Sequence, residues 1–138
     1  MVDKPKLDQM LSNLRQYTGA LKALAAVPQG VFLADTDKIG NAKYHFVIAI
    51  ECCIGIANHI IASENYRFPR DNADSFTVLV EQTVVTEDLK ENLHAMAKFR
   101  NRLVHLYWNV DDVRIHRYLQ ESLPDFDRFA GQVARFVQ

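Results

Sequence analysis

Glycine and proline are scarce in this chain, at five and four residues out of 138. That composition argues against a disordered protein and against one built on many tight turns. Cysteine is confined to the neighbours Cys52 and Cys53. A bridge between adjacent helical residues would be strained, so buried thiols in a reducing compartment are expected. His45, His59, His94, His105 and His116 are scattered and lack the paired spacing of metal ligands, and no zinc pattern accompanies them. His45, His59 and His116 read as surface or core residues. Neither sign of charge is in excess, the net charge being −1. Binding to a polyanion would therefore have to come from a local patch. Lys90, Lys98, Arg100 and Arg102, set against Glu91 alone, form a candidate patch that could equally be a solvated helix face. The start, Met1-Val2-Asp3-Lys4-Pro5-Lys6, has no apolar signal core. The longest strongly apolar stretch, residues 46–57, is interrupted by Glu51 and is too short to span a bilayer. A cytoplasmic protein with no membrane partner is expected.

What the chain does have is helical periodicity. No segment alternates with period two, and there are no repeats or low-complexity tracts. Leu7, Met10/Leu11, Leu14, Leu21 and Leu24 recur at threes and fours, which predicts a helix over residues 4–26 with Pro5 in its first turn. Pro28 and Gly30 stop it, and residues 31–33 read as an apolar link. A second helix starts at Asp35–Asp37 and fades by Glu64-Asn65. Its broad apolar face suggests a central position or contact with a partner chain. Gly55 in its middle suggests close helix packing. The loop over residues 66–72 carries Arg67 and Arg70, a second-choice site for RNA contact. Asp74 or Ser75 is expected to cap a short helix over residues 76–82. Thr86 is expected to cap a helix reaching Leu106. A last helix spans residues 113–136, broken or kinked at Pro124. The predicted fold is all-α: one domain, residues 1–138, an antiparallel up-down four-helix bundle with one extra short helix.

One stretch stands out: Phe99-Arg100-Asn101-Arg102-Leu103-Val104-His105-Leu106-Tyr107-Trp108. On an ideal helix, with Arg100 at zero, Asn101 lies near 100°, His105 near 140°, and Tyr107 about 20° behind Arg100. The apolar Phe99, Leu103, Leu106 and Val110 fall at roughly 240–300°. A guanidinium, an amide, an imidazole and a phenol thus share one arc, opposite a face fit for a core. Such a cluster can bind a phosphate and move a proton, as a nucleic-acid cleaving site must. The bland alternative also fits. Arg100 would pair with an acid such as Asp111, His105 would sit at a helix end, and Tyr107 would pack half-buried.

Arg100, four residues, His105, one residue and Tyr107, with Asn101 directly after the arginine, resembles the signature of HEPN-domain proteins of the HepT toxin type. The wording around Cys52-Cys53-Ile54-Gly55-Ile56-Ala57-Asn58-His59-Ile60 is similar too. The resemblance covers residues 43 to the C-terminus. It implies an all-helical homodimer acting as a metal-independent endoribonuclease, the toxin of a type VII-like toxin–antitoxin pair. The partner it implies is an MntA-like nucleotidyltransferase antitoxin, which uses ATP with Mg to AMPylate the motif tyrosine, Tyr107.

Chemistry fits those roles. The 2′-hydroxyl of RNA can attack its neighbouring phosphorus and leave a 2′,3′-cyclic phosphate. Imidazole suits proton transfer near neutral pH, and guanidinium suits a charged phosphorane. His105 would be general acid or base, and Arg100 would hold the scissile phosphate. Asn101 would orient the imidazole or bond the phosphate. Tyr107 would contact the phosphate or stack on a base. One histidine does not easily serve as both acid and base, and the family's answer is a site composed from two protomers. The competing function is a non-catalytic nucleotide- or substrate-binding subunit of a nucleotidyltransferase complex. A purely structural dimerisation module is a third.

Overall fold

The structure, a computed structural model, describes residues 1–138 apart from the side chain of Tyr107. Seven α-helices follow one another among the described residues: α1 (Lys4–Ala25), α2 (Gln29–Leu33), α3 (Thr36–Ser63), α4 (Asn72–Glu81), α5 (Lys90–His105), α6 (Asp112–Glu121) and α7 (Leu123–Phe136). Single 3₁₀ turns, Glu87–Leu89 and Tyr107–Asn109, flank α5. Among the described residues there is no strand.

Aspartates start four of these helices by accepting backbone N–H groups that lack a helical partner. Asp3 accepts from Lys6, Asp35 from Asp37 and Lys38, Asp71 from Asp74, and Asp111 from Val113. α4 therefore begins at Asn72 under Asp71, earlier than the cap expected at Asp74 or Ser75. Asp74 serves elsewhere: Arg67 donates to its two oxygens at 2.8 and 3.0 Å, and the same guanidinium bonds Glu81. That holds the Asp74 carboxyl well below the usual carboxylate range. Arg67 thus clamps its loop to α4.

The link at residues 31–33 is helical and buries Phe32. Thr86 does not cap α5 through its side chain. Its hydroxyl accepts from Gln132, whose Oε1 takes the Thr86 N–H, tying the start of α5 to α7. The last predicted helix is two, broken at Ser122, and Pro124 sits in the first turn of α7, where its missing N–H costs nothing.

α3 is the central element. It packs on α1, α2, α4, α5 and α6. It runs antiparallel to α1, as Cys52 donates to the Met10 carbonyl and the N-terminus to that of Ser63. At 28 residues, with a window of mean hydropathy 1.8, it is long and apolar enough to cross a membrane by composition, but half of that window is buried in the bundle. Ile50, Cys53, Ile56, Ala57 and Ile60 are all in the core. Burial pushes the Cys52 thiol up to about 11 and raises the Cys53 thiol well above its ordinary value, so both stay protonated and inert. Lys43 reaches from α3 to Asp112 on α6 at 3.7 Å.

Gly55 faces α1, where an added Cβ would meet only the Met10 Cε at 3.4 Å. That neighbour is the movable tip of a side chain, so close backbone packing does not require glycine here. Gly55→Ala should raise stability by about 0.5–1 kcal/mol through the lower helix cost of alanine. Thermal unfolding should shift upward by about 3 °C for a chain of this size, and a lower melting temperature would contradict the packing described.

Candidate functional site

The motif occupies the last turns of α5, and Phe99 sets how that helix is rotated. Its ring is buried, stacked on Tyr118 of α6 at 3.9 Å with planes 6° apart, and edge-on to Phe46 of α3 at 5.4 Å. With Phe99 pinned between α3 and α6, the next residue, Arg100, points along the α3 side. There it meets Glu51. The Arg100 Nε and Nη2 both donate to Glu51 Oε1, at 3.1 and 2.8 Å. Its Nη1 donates to Asn101 Oδ1 at 3.0 Å. The Arg100 side chain is 21% exposed and Glu51 43%. The guanidinium is held in one orientation yet still reaches solvent.

Asp111, the acid suggested as a partner for Arg100, instead caps α6. Glu51, which interrupts the apolar run of α3, is a site residue that the spacing of the motif does not reveal. A single acid inside the most apolar stretch of the chain was the available signal, because a charge there must find a partner. Asn101 spends its carbonyl oxygen on Arg100, which leaves its amide N–H groups to donate outward.

His105 ends α5 and is exposed. It lies five residues beyond Arg100, roughly 7.5 Å along the helix and 140° around it. Arg102 is exposed beside it. Both basic side chains fall in the last turn, where the Arg102 charge complements the negative end of the helix dipole. The helix stops at His105, with Leu106 at φ −130°, ψ 40°. Two expectations change as a result. Leu106, assigned to the apolar face by helical projection, is exposed. Tyr107 starts a 3₁₀ turn, so the angle of about 20° behind Arg100 does not apply. The Tyr107 side chain lies outside the described residues. Val104, Leu106 and Trp108, the last 80% exposed, make the surface around the motif end unusually apolar, and Tyr44 on α3 is exposed as well.

Three other histidines make contacts within the bundle. His94 is half-buried and shares a 2.7 Å hydrogen bond with Thr77 of α4. His45 bonds the Asn41 carbonyl, and His116 packs against Phe32. The candidate patch shrinks, because Lys90 pairs with Glu87. Among the described residues, no three His, Cys, Asp or Glu side chains gather closely enough to hold a metal ion.

A helical bundle with an arginine and a histidine five residues apart on one helix is the arrangement expected of the HEPN class. The chain belongs to the HepT-like ribonuclease family, whose model matches residues 8–133. It is 39% identical over 80 residues to the mRNA nuclease HepT of Shewanella oneidensis, a match that covers 57% of this chain and 59% of that protein. The chain thus spans less than two thirds of the length of that relative. Its fold is similar to that of the tri-AMPylated Shewanella oneidensis HEPN toxin in complex with MNT antitoxin, with TM-score 0.87, 24% identity and coverage of 98% and 99%. It is also similar to YutE, a cytosolic protein of unknown function from Bacillus subtilis, with TM-score 0.83, 21% identity and coverage of 99% and 91%.

Glu51 occupies donors on Arg100 that an incoming anion would want. Glu51→Gln should therefore strengthen the binding of inorganic phosphate at Arg100 by about three-fold, the effect of removing a half-exposed ion pair worth roughly 0.7 kcal/mol. Nitrogen-15 NMR titration of the Arg100 Nε–H group would read it. Equal affinity in parent and variant would mean that the Arg100 fork is not where an anion lands.

Proposed function

We propose that this chain is the toxin of a toxin–antitoxin pair: an endoribonuclease that cuts RNA without a metal and is silenced by AMP transfer from a partner nucleotidyltransferase. The observation that carries the reading is the pairing of a held Arg100 with an exposed His105 on α5 of a HepT-like chain. The nuclease activity named for the Shewanella relative supports it.

In this reading the RNA phosphate approaches the solvent side of the Arg100 fork, with the Asn101 amide as a further donor. His105 takes the 2′-hydroxyl proton or gives one to the departing 5′-oxygen, and a 2′,3′-cyclic phosphate remains. Arg100 steadies the charge that builds on phosphorus. The second proton transfer needs a second group, which His105 of a second copy supplies in a homodimer. The exposed Val104, Leu106 and Trp108 at the motif are suited to that contact, since a stable interface core needs desolvated aromatic and aliphatic side chains. Purified protein should cleave RNA in EDTA. Arg100→Ala and His105→Ala should each lower the rate by about 100-fold or more with the helical circular dichroism unchanged. His105→Ala protein that cuts like the parent would overturn the reading. Light scattering should give about twice 15.8 kDa, and a strict monomer that still cuts RNA would exclude the composite site.

Control follows from Tyr107. Its phenol oxygen attacks the α-phosphorus of Mg-bound ATP, pyrophosphate leaves, and the phenol proton is lost to the medium. The tri-AMPylated state of the Shewanella toxin supports this modification. Each AMP brings a bulky anion two residues beyond His105, where it hinders the approach of RNA by bulk and like charge. After incubation with the neighbouring nucleotidyltransferase and ATP, intact-mass spectrometry should show one or more added AMP units on the parent and none on Tyr107→Phe. A fully labelled protein that still cleaves RNA would reject the switch.

A further inference from the structure

Most cations of this bundle have carboxylate partners. Arg67, Arg70, Arg100 and Arg128, with Lys4, Lys22, Lys38, Lys43 and Lys90, all pair with acids. Arg114 and Arg117 of α6 have no ion pair among the described residues, and neither has Arg102. Arg114 and Arg117 line a cleft of about 570 Å³ between α5 and α6, whose α5 wall is Asn92, Ala95 and Met96.

The cleft lies beside the motif on α5. Met96 lies one turn before Arg100. Phe99, which immediately precedes Arg100, stacks on Tyr118, another lining residue, and the Arg114 guanidinium carbon is 5.9 Å from the centroid of that same ring. In projection around α5, Arg102 falls about 20° from Ala95 and about 60° from His105. In projection it therefore falls between the cleft wall and the exposed histidine. At the far end, Glu121 and Asp125 line the cleft, and Asn92 donates to Asp125 at 3.1 Å. A polyanion is drawn in at the arginine end and turned away at the acidic end. Five arginines have no ion pair among the described residues; Arg15 and Arg135 stand on α1 and α7, whereas Arg102, Arg114 and Arg117 stand on α5 and α6 and form the local patch that a chain of net charge −1 needs to hold nucleic acid.

We infer that the α5–α6 cleft is the path of the single-stranded RNA flanking the cut, with Arg102, Arg114 and Arg117 holding successive backbone phosphates. This rests on the nuclease reading and extends it from the scissile phosphate to the strand. Phosphate contacts of this kind position the strand without reading its sequence.

The test uses the full chain with His105→Ala to prevent cleavage, and measures binding of a labelled single-stranded RNA by fluorescence anisotropy over a range of salt. Each phosphate contact on a single strand contributes about 0.7 to the slope of log affinity against log salt. Arg114→Gln with Arg117→Gln, which keeps the aliphatic stems, should lower the slope by about 1.4 and weaken binding by about ten-fold at moderate salt. Lysine at both positions should restore most of the slope. Arg15→Gln with Arg135→Gln, which removes the same charge from exposed positions on α1 and α7, should leave the slope as it was. An equal loss in that control pair, or no change in the cleft pair, would overturn the cleft as a strand path. AMP binding that depends on Arg114 and Arg117 while RNA binding does not would assign the cleft to a nucleotide and also overturn it. RNA binding with the expected pattern in a parent protein that cuts no RNA upholds the cleft and rejects the nuclease reading. Cleavage with an unchanged slope does the reverse.

Discussion

The placement of Phe99 is the constraint on which the site depends. Its buried ring lies flat against Tyr118 and edge-on to Phe46, so α5 is locked to α6 on one side and α3 on the other. Aromatic contacts of this kind are directional as well as apolar. They leave α5 little freedom to roll, and rolling would move every motif side chain at once. With that rotation set, Arg100 is delivered to Glu51 and His105 to solvent. A smaller residue at position 99 would lose burial and orientation together.

The same arrangement places two demands on Arg100. A long arginine side chain left free loses rotamer entropy when it binds a ligand. Glu51 and Asn101 remove that freedom in advance, using Nε, Nη2 and Nη1 as donors. A carboxylate is also an anion sitting where a phosphate would bind, so orientation and affinity oppose each other. The half-exposed position of Glu51 moderates the conflict, because solvent screens its charge. Other basic side chains are committed to the scaffold. Arg67 is the clearest case, holding Asp74 and Glu81 at once. Of the arginines left without acids among the described residues, Arg102, Arg114 and Arg117 stand on α5 and α6, the helices that frame the cleft, while Arg15 and Arg135 stand on α1 and α7.

Much of the fold was legible because it is local. Threefold and fourfold recurrence of leucine and isoleucine, aspartates ahead of helices, and a shortage of turn residues determine the helices and the all-α class with short-range physics alone. The pattern Arg100, Asn101, His105 was legible for the same reason, since all three sit on one unbroken helix. Boundaries set by competition among neighbours were not. Asp74 looks like a cap by sequence, but Asp71 takes that place and Asp74 turns to Arg67. Helical projection beyond His105 failed because it assumes a continuing helix. Leu106 leaves helical geometry, and Tyr107 follows in a 3₁₀ turn.

By itself, then, the sequence determined the helices, the apolar stripes that drive them together, and the presence on α5 of groups able to hold a phosphate and carry a proton. Only the tertiary structure decided that Arg100 answers to Glu51, 49 residues earlier in the chain, and that Arg114 and Arg117 open onto a cleft beside Met96. The reason is physical. Periodicity reports which face of a helix is buried, but which charge meets which depends on how the helices are turned against one another. That rotation is set by the fit of rings such as Phe46, Phe99 and Tyr118, which no single helix contains.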